Sequence, residues 1–147
     1  MKRRIMALLL TVVAVLGIAT YAPARAAAEP RASEYIASTG VFVYAMGNGK
    51  IKIEVDVAAT HQMLEVGASV VHLYEKQSNG TVTKVASYYK EDHPAIMLEY
   101  NSFFAYMDLY YYGAVPGRQY YAVAGCYAKD SVGNETLYFT SNTVVAT

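Results

Sequence analysis

Between Lys50 and Val57 the sequence alternates without a fault: Ile51, Ile53, Val55 and Val57 share one parity, and Lys50, Lys52, Glu54 and Asp56 share the other. Side chains of an extended chain point to opposite faces in turn, so this stretch is a strand with one oily face and one wet face. Only another apolar layer can hide such a row from water. Gly47-Asn48-Gly49 in front of it tolerates the backbone of a tight turn, which makes Val41 to Ala45 an earlier strand leading in. Ala68 to Glu75 reads as a further strand, closed by the turn Ser78-Asn79-Gly80, with Val82 to Tyr89 returning as its hairpin partner. Glu91-Asp92-His93-Pro94 then breaks the pattern, because proline cannot donate to a ladder.

Ile96 to Glu99 is a short apolar stretch. Phe103 to Tyr112 is long and aromatic and lacks helical spacing, and such residues favour pleated surfaces, so it is predicted as a strand. Pro116-Gly117 makes the next turn, and Tyr120 to Tyr127 and Leu137 to Val145 are the last two strands. The expectation is an all-β domain over residues 35–147: about seven short strands at roughly ten-residue intervals, stacked as a two-sheet antiparallel β-sandwich with no helix after the leader.

The first 26 residues follow the plan of a signal peptide: a basic start in Lys2-Arg3-Arg4, an apolar helical run from Ile5 to Ile18, and small residues before a cut placed between positions 26 and 28. A run of about fourteen residues is short of the roughly twenty that span a bilayer, and no later stretch is apolar enough to do so. Residues 27–34 are then a short flexible lead-in, and the expected destination is secretion as an extracellular protein. The formal net charge is zero, but four of the twelve basic residues lie in the leader and all twelve acidic ones after it, leaving the remainder near minus four. A mildly acidic domain without a Lys/Arg cluster is a poor partner for nucleic acid or an anionic membrane. Cys126 is the single cysteine, so there is no internal disulfide, and its inward parity makes it core filler.

The segment Pro116-Gly117-Arg118-Gln119-Tyr120-Tyr121-Ala122-Val123-Ala124 resembles the start of the sixth strand of fibronectin type III domains, which belong to the immunoglobulin-like sandwiches. The resemblance implies that Tyr120 is a corner tyrosine whose hydroxyl bonds back to nearby backbone, with Pro116 and Gly117 shaping the turn before it. Ser141 to Thr147 is similar to the family's last strand, whereas the tryptophan usual on the second strand is missing, with Ile53 or Val55 left to fill its space. The whole region after the leader is also similar to small secreted proteins of clostridia-like bacteria, which implies a fold but no activity.

Fourteen of the fifteen tyrosines follow position 26. If Tyr120, Ala122, Ala124 and Cys126 face the core, Tyr121 and Tyr127 face outward; with Val71 and Leu73 inward, Val70, His72 and Tyr74 face outward too, and the fibronectin type III resemblance, which implies that the third and sixth strands pair, puts them on the same sheet. That predicts an aromatic platform of Tyr74, Tyr121 and Tyr127 beside His72, of a kind that stacks on sugar faces or docks a protein. A second stripe, Tyr106, Asp108, Tyr110 and Tyr112, lies outside the strand whose inner parity is Ala105, Met107, Leu109 and Tyr111.

His61, His72 and His93 have no metal-ligand spacing, so neither a metal nor any other cofactor is expected. Asp130, Asn134 and Glu135 carry calcium-type oxygens, but without the alternating pattern of a calcium loop they read as an Asx-type turn. Asn79 and Asn134 fit glycosylation acceptors inside predicted turns. No nucleophile elbow, zinc-protease helix or phosphate loop is present. The function expected from these residues is therefore non-enzymatic: a secreted module that binds a glycan or protein at the cell surface. The rival readings are a self-associating structural or matrix protein and a small hydrolase or inhibitor.

Overall fold

The computed structural model describes residues 33–147; the predicted leader and its cleavage site lie outside them. The chain runs through β1 (Ile36–Gly47), β2 (Lys50–Lys76), β3 (Val82–Tyr89), a four-residue helical turn α1 (Pro94–Met97), β4 (Leu98–Tyr111), β5 (Gln119–Lys129), β6 (Asn134–Thr140) and β7 (Val144–Val145). All seven strands are antiparallel and hydrogen-bonded into one sheet, which curls into a half-barrel. Two of the predicted strands, Lys50 to Val57 and Ala68 to Glu75, are halves of the single 27-residue β2, and the predicted last strand divides into β6 and β7.

The length of β2 organises everything else. Its first half pairs with β1 on one side, with Val43 opposite Ile53, and with β4 on the other, with Ile53 opposite Leu109. Its second half pairs with β3 and β5, with Tyr74 opposite Tyr121. β6 and β7 extend the sheet beyond β5. Between the halves, Ala58 pairs with Phe104 but Met63 with Ser102, so residues 59 to 62 lie opposite Phe103 alone. Surplus length on one side of a ladder bends it, and this is where the sheet curls.

Gly67 lies beyond that bend, where β2 meets α1. A Cβ there would stand 2.0 Å from the carbonyl oxygen of Met97, so only glycine lets α1 seat against β2. The Gly47-Asn48-Gly49 turn is formed as the sequence predicts, all three residues at positive φ.

The curl brings the inward rows of both halves into one core. Ile51, Ile53, Val55 and Val57 are fully buried together with Val71 and Leu73, and the inward parity of β5 (Ala122, Ala124, Cys126) and of β4 (Ala105, Met107, Leu109) joins them. Each buried Ile or Leu contributes about 1.5–3 kcal/mol, so packing alone sustains a fold without a disulfide. Burial pushes the Cys126 thiol up to about 12, which leaves it protonated and inert.

Candidate functional site

With one side of the sheet committed to the core, chemistry is left to the two outer faces, one on each half of β2. On the second half, Tyr74 and Tyr121 are direct cross-strand neighbours. Their rings stack at 5.2 Å between centroids and 13° between planes. His72, two residues back on the same face, meets Tyr74 edge-on at 6.3 Å and Tyr89 of β3 edge-on at 6.0 Å. Its Nδ1 lies 2.9 Å from Ser87 Oγ. Burial and the charge of Lys84 lower its pKa, so the imidazole is neutral at pH 7.

Two residues beyond the stack, Lys76 pairs with Gln119. Here the face drops into a depression of about 540 Å³ between the β2–β3 and β4–β5 turns, lined by Lys76, Gln77, Ser78, Asn79, Gly117 and Gln119. Asn79 Oδ1 accepts the Thr81 N–H at 2.9 Å, which fixes the turn. The site thus joins an aromatic pair to a hollow rich in primary amides, each offering donors and an acceptor.

Tyr127, expected on this platform, is not part of it. It is 7% exposed, capped by the Lys90 ammonium 3.6 Å above its ring centroid, and about 20 Å along β5 from Tyr121. The cause is the chain leaving β3: the Lys90 N–H donates to the Ser69 carbonyl at 3.2 Å, which lays Lys90 over the far end of β5. Lys90 and Lys129 then flank Glu65 at 3.9 and 3.4 Å. Val70, also expected outside, is buried in the same place.

No family model matches the chain. No curated protein matches it either.

On the first half of β2, the outer face carries Tyr106, Tyr110 and Tyr112, all exposed as the alternation predicts. β1 adds Phe42 and Tyr44, which sequence reasoning left out because it assigned no parity to that strand; Val41 and Val43 inward would have put both outside. The centre of this face is charged. Lys52 Nζ lies 2.9 Å from Glu54 and 3.0 Å from Asp108, and Tyr106 donates to Glu54 Oε2 at 2.9 Å. Lys52 and the Tyr106 hydroxyl hold the Glu54 carboxyl below its ordinary range, and Glu54 and Asp108 in turn raise the lysine. Lys50 sits over the rings of Tyr110 and Tyr112, at 4.3 and 5.4 Å.

The end of the sheet next to the depression is anchored from inside. Tyr120 is fully buried; its hydroxyl accepts the Val115 N–H at 2.8 Å and donates to Glu75 Oε2 at 2.6 Å, while Arg118 Nη1 donates to Glu75 Oε1 at 2.5 Å. Pro116 and Gly117 form the turn around which this closes, with the Gly117 N–H bonded to the Ala146 carbonyl at 2.9 Å. The hydrogen bond from Tyr120 and the Arg118 guanidinium hold Glu75 below the usual carboxylate range. Sequence reasoning did not single out Glu75, although it shares the inward parity of Val71 and Leu73, and an acid on that parity demands partners.

The remaining candidates are occupied by structure. Asp130 Oδ1 accepts the N–H groups of Val132 and Gly133 at 2.7 and 2.9 Å, and Glu135 Oε2 bonds Ser33 Oγ, so these oxygens close a turn and tie down the first described residues. His61 bridges Asp130 Oδ2 at 3.1 Å and Thr60 Oγ1 at 3.0 Å. The Thr60 hydroxyl itself donates to the Glu34 carbonyl at 2.7 Å, so its proton is directed to backbone rather than to the imidazole. Among the described residues no three of His, Cys, Asp and Glu gather as metal ligands, and no helix is long and apolar enough to cross a membrane.

Proposed function

We propose that this chain is a secreted, non-enzymatic binding module of the fibronectin type III kind, and that its ligand is a cell-surface glycan held by Tyr74, Tyr121 and the amide-lined depression beside them. The fold part of the reading is that the curled sheet is a two-layer sandwich whose second and third strands are fused in β2. In its support, β1 keeps to the first half of β2 and β3 to the second, and both inward rows enter one core, with β4 following β2 from Ile51 to Gly67 and joining the two halves. The hydroxyl of Tyr120 bonding back to Val115 is in keeping with a corner tyrosine.

The observation that carries the functional reading is the adjacency of the Tyr74–Tyr121 stack to Gln119, Gln77 and Asn79. A sugar ring has an apolar C–H face and a rim of hydroxyls. Aromatic faces take the first, and side-chain amides, which donate and accept at once, take the second. The neutral His72 places no competing charge beside the stack.

The test is binding of the purified protein to immobilised glycans and to soluble cell-wall polysaccharide. Tyr121→Ala and Gln119→Ala should each weaken retention at least tenfold, while Tyr110→Ala on the other face leaves it unchanged. Retention that survives both of the first two substitutions would refute the assignment.

A further inference from the structure

The other outer face, on β1, β2 and β4, is aromatic at its flanks and charged along its middle, and its charges are ordered. Lys50 and Lys52 come first along β2, Glu54 and Asp56 follow, and all four point outward. Lys52 and Glu54 are already paired with each other, which leaves the ends of the row to act on something else. Lys50 is held at one end by the rings of Tyr110 and Tyr112. At the other end Asp56 makes no ion pair among the described residues and lies over Gly40, where an added Cβ would stand 2.1 Å from its Oδ2.

We propose that this face packs on the same face of a second copy of the chain, across a two-fold axis that crosses the strands at the level of Val43, Ile53 and Leu109. Those three residues are in register across β1, β2 and β4. An axis lying there in the interface plane reverses the strand direction between copies and keeps each strand over its own counterpart. Ile53 is midway between Lys50 and Asp56, so Lys50 of one copy meets Asp56 of the other, twice. The same operation sets Tyr44 against Phe42 on β1 and Tyr112 against Tyr106 on β4. Each charged end thus meets its opposite, and Phe42, Tyr44, Tyr106 and Tyr112 each meet a ring, while Tyr110 falls opposite Asp108 and sets a hydroxyl beside a carboxylate.

Pairing through the edge of β1 is disfavoured by a separate device. The Asn142 side chain accepts the Val43 N–H and donates to the Val43 carbonyl, both at 2.9 Å, closing the ladder positions an added strand would need. The face is roughly 15 Å wide and roughly 30 Å long, so each copy hides on the order of 500 Å², less than a standard interface, and the dimer is a weak one.

The test is analytical ultracentrifugation of the purified protein from about 10 µM to about 1 mM, the range in which so small an interface associates. The expected result is a monomer–dimer equilibrium. Lys50→Glu and Asp56→Lys should each weaken it at least tenfold, by setting two like-charge contacts across the axis. Mixing the two variants should restore a heterodimer at near the original strength, because both contacts are then between opposite charges. Phe42→Asp is an uncharged-site control that should also disrupt, and circular dichroism of each variant reports that it stays folded. A protein monomeric at the top concentration, or single variants that dimerise as well as the parent, or a mixture that stays monomeric, would overturn the proposal.

Discussion

The two outer faces of β2 share one strand and one period, yet they are built in opposite ways. The first, from Lys50 to Asp56, bonds its charges to itself through Lys52, Glu54, Asp108 and Tyr106, and rests Lys50 on two rings. The second, from His72 to Lys76, carries a neutral imidazole, a stacked tyrosine pair and a hollow of amides. Charges that pair across strands give a face direction and make it selective for a partner with the reverse order. Rings beside amides give it a shape, which on the proposed function suits a flat, hydroxylated ligand. The bend at residues 59 to 62 is what lets one strand present both.

The contrast is broken most severely where β2 meets α1. Gly67→Ala forces a Cβ against the Met97 carbonyl, and we expect a loss of about 4 kcal/mol in urea unfolding, because neither backbone segment can yield without uncoupling α1 from β2. Next in size is Tyr127→Ala, expected to cost about 3 kcal/mol because its ring is buried beneath Lys90. The same substitution at Tyr121, half-buried on the same strand, should cost about 1 kcal/mol and instead remove glycan retention. That pair of variants separates a covered tyrosine from a presented one.

Tyr120→Phe should cost about 2 kcal/mol, since it leaves the Val115 N–H and one oxygen of Glu75 without their partner. It also changes the alkaline limb of stability. Burial and the bond to Glu75 push the Tyr120 hydroxyl up to about 12, whereas the unfolded chain releases that proton near 10. The folded state therefore holds the proton more tightly, so this contribution is complete below about pH 10 and lost as pH rises to about 12. Thermal melts between these values should fall less steeply for Tyr120→Phe than for the parent. Glu75 works in the other direction: its carboxyl is held down in the folded state, so its contribution is present above the unfolded value of 4.5 and lost as pH falls through the lower folded one. Glu75→Gln should flatten that acid limb, the smallest effect of the series.

Much of this is legible in local spacing. The alternation from Lys50 to Val57 sorted inward from outward residues, and the parity of β4 did the same for Ala105, Met107 and Leu109. The fusion of two predicted strands into β2 was not visible, because residues 58 to 67 break the period, and a bulge breaks it as surely as a loop does. Tyr127 was misplaced for a related reason: its parity is outward, but what covers it comes from Lys90, distant along the chain, and period two says nothing of lids. That Tyr74 and Tyr121 share one face was expected from their parity and the implied strand pairing, whereas their direct opposition is a matter of register and the depression beside them depends on how two turns approach, which neither turn encodes alone.

The central claim is that the two outer faces have different occupants, and amide chemical-shift mapping on isotope-labelled protein tests it most directly. Titrating cell-wall polysaccharide into a dilute sample should move the signals of Tyr74, Tyr121, Gln119 and Asn79 and leave those of Tyr44, Lys52 and Tyr110 in place. Shifts centred on β1 and β4, or none on the β2–β5 face at saturating polysaccharide, would contradict it.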